Sequence, residues 1–78
     1  MKHKDLVRVA EGSYKGKEIE VTLYFDKEFY RIFKVPNYVI EVRCEGETTR
    51  KGFSSYEKAS KTFEELVRKY KLKEKESK

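Results

Sequence analysis

Cationic side chains interleaved with aromatic and branched ones through the middle of this 78-residue chain are its best candidates for chemistry. Arg31, Val39, Arg43, Arg50 and Lys51 fall in three successive segments of strand-like pattern, with Tyr30 beside Arg31, Lys34 just beyond, and Lys15 in an early turn. Cations in that setting can neutralise phosphates while aromatic or branched groups contact sugars and bases, so the set is a candidate nucleic-acid-binding surface. Glu41 falls on the same expected strand face as Val39 and Arg43, where a carboxylate would repel a phosphate backbone. The plainer reading is a solvated face of mixed charge that keeps an antiparallel sheet soluble.

Covalent and acid–base chemistry has little to stand on. The single histidine, His3, lies near the start of the chain, and Asp5 and Asp26 are the only aspartates. Cys44 falls on the apolar side of a strand pattern and reads as a small buried hydrophobe, not as a reactive thiolate. No Cys/His cluster has zinc spacing, and Lys15-Gly16 lacks the remainder of a phosphate-binding loop. Glu57, Glu64 and Glu65 read as a helix-capping residue and solvated charges. The expectation is a non-enzymatic protein with no metal, no cofactor and no small-molecule substrate.

Composition bounds the rest. Charged residues make up 42% and hydrophobic ones 37%, so the six Tyr and five Phe must supply much of the core. One short domain with no deep pocket follows from the length. The net charge of +5 is spread along the chain: residues 54–78 hold eight Lys/Arg against five Glu, and residues 1–53 hold eleven against nine acids. No stretch has the apolar length of a membrane span, and Met1-Lys2-His3-Lys4 runs into an amphipathic strand with no signal-peptide pattern. One cysteine excludes an intrachain disulfide and suits a cytoplasmic setting. Abundant Lys and Glu with few Asn and Gln fits a heat-adapted source.

These side chains need elements to position them. Residues 6–10 and 18–25 read as strands joined by a tight Lys15-Gly16 turn, the second alternating Ile19, Val21, Leu23 and Phe25 with polar positions. A third strand is expected over residues 29–35, ended by Pro36-Asn37. A fourth, over 38–45, puts Tyr38, Ile40, Val42 and Cys44 on one face and Val39, Glu41 and Arg43 on the other. Gly46-Glu47 reads as a hairpin turn into a fifth strand, 48–53. Ser54-Ser55-Tyr56-Glu57 then resembles a capping box, and Ala59, Phe63, Leu66, Val67 and Tyr70 form one apolar helical stripe. The expected fold is mainly β: a small, curled five-stranded antiparallel sheet, a meander, with one C-terminal amphipathic helix. Residues 1–72 form the domain and 73–78 a frayed Lys/Glu-rich tail.

Tyr14-Lys15-Gly16-Lys17-Glu18-Ile19-Glu20-Val21, Tyr30-Arg31-Ile32, Glu45-Gly46, Gly52 and the helix opening at Ser54 to Ala59 together resemble the archaeal seven-kilodalton chromatin proteins. The resemblance spans about residues 12–70 and lies in element order and spacing. It implies an SH3-like barrel with a C-terminal helix, binding double-stranded DNA in the minor groove through a three-stranded sheet. Lys15, Tyr30, Arg31, Lys34, Val39, Arg43, Arg50 and Lys51 would make the contacts, Tyr30 standing in for a tryptophan that this chain lacks. Val7-Arg8-Val9, Gly12 and Lys15-Gly16-Lys17 also look like a KOW element of SH3-like domains, a weaker match because Ile19 replaces a later glycine.

Two functional expectations follow. The first is largely sequence-independent binding of double-stranded nucleic acid, which needs one continuous positive face. The second is a protein-interaction module, of the kind viruses and mobile elements carry, docking through a sheet edge or helix onto a partner or a second copy. It expects mixed charge interrupted by Glu41 and an apolar patch elsewhere.

Overall fold

Two left-handed dipeptides shape the sheet. Lys15-Gly16 holds φ at 53° and 80°, and Glu45-Gly46 at 53° and 86°. Positive φ at both central residues is the type I′ geometry, whose twist matches that of the strands it joins. The first turn links β1 (Lys4–Tyr14) to β2 (Lys17–Asp26), and the second links β3 (Tyr38–Cys44) to β4 (Glu47–Phe53). The computed structural model describes residues 4–75, so the expectations for His3 and for residues 76–78 lie outside it.

Between β2 and β3 the chain makes a seven-residue helix, α1 (Lys27–Phe33), where a third strand was expected. Asp26 caps it by accepting from the Phe29 amide at 3.1 Å, and the Lys34 amide donates to the Tyr30 carbonyl at 2.8 Å from a left-handed C-cap. Glu28 and Arg31 pair along its surface at 2.7 Å. The strand reading fails because local capping outweighs the aromatic and β-branched composition of the segment. An Asp26 amide donating to the Asn37 carbonyl, at 2.9 Å, closes the excursion and hands the chain to β3.

The molecule is mainly β, a five-stranded antiparallel sheet with two helices, in the order β4-β3-β2-β1-β5. Its first four strands form a meander. The helix α2 (Tyr56–Tyr70) then crosses the sheet, and the chain adds β5 (Lys73–Lys75) beside β1. The expected barrel is corrected on this point: the sheet is open, with β4 and β5 as its edges. A paired strand also replaces the frayed tail over residues 73–75, so α2 is not the last element.

Strand alternation and register divide the sheet into two faces. Ala10, Ile19, Val21, Leu23 and Ile40 turn to one face and pack with Ala59, Phe63 and Leu72. Val42, Cys44, Leu66, Val67 and Tyr70 extend that cluster as half-buried neighbours, so the predicted helical stripe is the buried one. The helix cap sits one residue later than expected, at Ser55, whose hydroxyl accepts from the Lys58 amide at 3.4 Å.

The far end of α2 explains β5. Lys71 takes φ of 55°, its amide donating to the Arg68 carbonyl, while the Leu72 amide donates to the Val67 carbonyl at 2.9 Å. This Schellman closure swings the chain back and drops Leu72 into the core. Gly12 leaves room for it, since a Cβ there would lie 3.0 Å from the Leu72 Cδ2.

A cation stands beside a bulge in β1. Between Leu6 and Arg8 the β1–β2 register shifts: Leu6 faces Tyr24, Arg8 faces Leu23, and Val7 is the extra residue. The register from the Lys15-Gly16 turn runs unbroken to Arg8, so Arg8 shares the α2 face with Ala10, and the bulge turns Leu6 to the opposite face. Its guanidinium donates to both Glu74 oxygens at 2.7 and 2.8 Å and to Ser60 and Glu64 at 2.7 and 3.1 Å. It also lies 4.8 Å from the centre of the Phe63 ring. One side chain thereby ties β1, β5 and α2 together. The hydrogen bond from Arg8 holds the Glu74 carboxyl below its ordinary range against the opposing effect of burial.

Replacing Phe63 by Ala should cost roughly 3–5 kcal/mol, read from urea unfolding, because the ring is fully buried and leaves a cavity. A loss below about 1 kcal/mol would show that the sheet collapses around the gap. For Glu74 the folded pKa is depressed, so its contribution is full above the unfolded value of about 4.3 and fades as pH falls through the folded value. Thermal melts should therefore show Glu74→Gln less stable than wild type at pH 7, with the gap closing in acid. A gap independent of pH would remove the Arg8–Glu74 pair from the acid response.

Candidate interaction surface

The face of the sheet opposite α2 carries Thr48, Arg50 and Gly52 from β4, Val39, Glu41 and Arg43 from β3, and Glu20, Thr22 and Tyr24 from β2. Glu41 is at its centre and only 4% exposed. Arg43 donates to one of its oxygens at 3.2 Å and Arg50 to the other at 3.3 Å. Arg43 also reaches Glu20 at 3.6 Å. The carboxylate expected to repel phosphate is instead sealed beneath two arginines, whose charge it offsets. Beside it, burial pushes the Tyr24 phenol pKa up, and the Glu41 charge adds to the effect.

Of the eight residues expected to contact nucleic acid, this face brings together Arg43, Arg50 and Val39. Val39 is 5% exposed, which leaves it no reach to wedge between bases. Lys51 alternates to the α2 side, opposite Ile40, with its ammonium 5.6 Å from the centre of the Phe53 ring. Lys15 sits at the tip of the β1–β2 hairpin, over the Tyr14 ring at 5.4 Å. Tyr30, Arg31 and Lys34 belong to α1 and its C-cap, at the opposite end of the strands from Lys15. At the hairpin end a shallow groove is lined by Glu11, Glu18, Glu20 and Glu45, with Arg43 and Cys44 beside them. Its charge is largely of the wrong sign for a polyanion.

The two most exposed large apolar side chains among the described residues lie elsewhere. The short α1 buries none of its residues, and Ile32 and Phe33 are 62% and 59% exposed, with Val35 just beyond at 48%. Phe29 stacks on Phe33, their centroids 4.6 Å apart, and lies one turn before Ile32, so the three share a stripe. Tyr30 packs instead on Phe25, and Phe25 on Tyr38, which anchors the helix to the sheet end. By helical spacing Glu28 and Tyr30 flank the stripe, and Lys27 and Arg31 fall on the opposite side of the helix. Reading residues 29–35 as a strand scattered these side chains over two faces. Asp26 as a cap, Glu28 and Arg31 in the first and last turns, and Pro36 past the end were the signals for a helix.

Among the described residues, no group of His, Cys, Asp and Glu could hold a metal ion. No helix of the described chain is long and apolar enough to cross a membrane. Comparison with family models, with curated proteins and with solved structures found no match.

Glu41→Lys should not open the face to duplex DNA; it should cost about 3 kcal/mol or more by burying a third cation between Arg43 and Arg50. Chemical denaturation measures the loss. A folded, equally stable Glu41→Lys protein that binds DNA would show that the carboxylate is not held as described.

Proposed function

We propose that this protein is a non-catalytic protein-interaction module that docks a partner through the apolar stripe of α1. The observation that carries the reading is the helix itself: Ile32 and Phe33 face solvent on an element with no buried residue, and Val35 is exposed just beyond it. A short helix held by caps at both ends presents these groups at low conformational cost, and clustered exposed apolar side chains on a small soluble protein mark recognition sites. Phe29, Ile32 and Phe33, spaced as i, i+3 and i+4, suit a partner with an apolar groove, as in helix-in-groove recognition.

Double-stranded nucleic acid is the second reading, supported by the net charge of +5 and by Arg43 and Arg50 side by side on the open face. It ranks second because both arginines already face carboxylates. A continuous positive surface would have to be assembled from residues at opposite ends of the molecule.

Phe33→Asp separates the readings without disturbing the core, since α1 contributes no buried residue to it. Proteins captured by the wild type and lost with Phe33→Asp, then titrated as purified partners, should bind the variant at least about tenfold more weakly. Generic duplex DNA at low salt should show no binding below about 100 µM, the weak end of non-specific affinities. Equal capture by both proteins, together with steeply salt-dependent duplex binding, would overturn the proposal.

A further inference from the structure

The two edges of the sheet are unlike each other. β5 is three residues of Lys-Glu-Lys, a short charged strand of the kind that blunts an edge. β4 has seven residues with no proline and an unbroken register against β3. All but Phe53 are exposed. In a two-residue hairpin the residues that close the turn exchange main-chain hydrogen bonds, and the ladder alternates from there. Glu47, Thr49, Lys51 and Phe53 therefore direct their main-chain groups to β3, and Thr48, Arg50 and Gly52 direct theirs outward.

We infer that β4 pairs antiparallel with β4 of a second copy, centred on Thr49. The inference is independent of the α1 proposal and rests on register and charge. A two-fold pairing must place outward-directed residues opposite one another, so it centres on a residue and not between two. Only Thr49, Arg50 or Lys51 as the centre engages at least two outward residues of each β4. Centring on Arg50 or Lys51 sets two like charges face to face on the axis, which is unfavourable. Centring on Thr49 sets threonine against threonine, a favourable cross-strand pair, and Thr48 against Arg50, which exchange main-chain bonds on both sides of the axis. It also sets Glu47 against Lys51 of the second copy, twice. Glu47 and Lys51 lie on the same face of β4, and neither has an ion-pair partner among the described residues. The self-complementarity is specific to this register: a shift of one residue would turn the outward groups away from each other. The product is a two-fold dimer with one continuous sheet and α2 on the same side in both halves.

Sedimentation equilibrium on the full chain, over a concentration series at low salt, tests the pairing. The wild type should dimerise reversibly. Thr48→Pro removes an outward N–H and no bond to β3, so it should stay folded and weaken the dimer at least about tenfold. Glu47→Lys and Lys51→Glu should each weaken it about tenfold, and the double exchange should restore it, because opposite charges then face each other again. Phe33→Asp should leave it unchanged. A wild type that stays monomeric up to about 1 mM would overturn the inference. So would a dimer that Thr48→Pro leaves intact, or a double exchange that fails to rescue.

Discussion

The contact between Phe63 and the sheet is where the rest of the molecule is anchored. A sheet with one helix across it has a core of a single layer, here Ala10, Ile19, Val21, Leu23, Ile40, Ala59 and Leu72 around one ring. That ring is fully buried, with the Arg8 guanidinium over it at 4.8 Å. A cation over an aromatic face is stabilised by the ring quadrupole, and its planar fork remains free to bind carboxylates. Arg8 therefore seals the core and fastens its border to Ser60, Glu64 and Glu74. The bulge at Val7 adjoins this seal. It lets Val7 pack against the same core while Leu6 turns to the opposite face beside Tyr24.

The same economy governs the opposite face. Uncovered by α2, it still carries Tyr24, Val39 and Glu41 in buried positions. Glu41 is held by arginines from its own strand and from β4, so the charges that make the protein basic are partly turned inward on themselves. Net charge is a property of the whole chain, whereas a polyanion meets a local potential. A chain with an excess of lysine and arginine can therefore lack a basic face. Removing one member of such a triad leaves the others uncompensated, so the group sets which strands lie side by side as much as it adds stability.

Where the chain leaves the sheet, it presents what the sheet does not use. The α1 excursion is held by Asp26 and Lys34 at its ends and by the Asp26–Asn37 bond at its base. These devices hold the main chain, and they leave the side chains of Ile32, Phe33 and Val35 exposed. The free rim of β4 is a second such surface, where the backbone itself is on offer.

The elements that rest on local rules were legible in the residues alone. Lys15-Gly16 and Gly46 mark tight hairpins because glycine accepts positive φ, and the β2 alternation and the α2 stripe each require one buried face. The meander, the buried Cys44 side of β3 and the Phe63 stripe were readable for that reason. Tertiary structure decided the rest. α1 is the exception, a local element whose capping by Asp26 outweighs an aromatic and β-branched content that favours a strand. β5 depends on a lysine in the left-handed region at the end of α2 and on the gap left by Gly12, neither visible as a pattern. Whether the sheet closed into a barrel or stayed open turned on which strand took the second edge of β1. Glu41 and the arginines were expected on one face, but their pairing was not, because strand alternation gives the side a residue takes and not the neighbour it meets. The candidate surface moved from the sheet to α1 for that same reason: local patterns specify elements, and only their packing specifies what remains exposed.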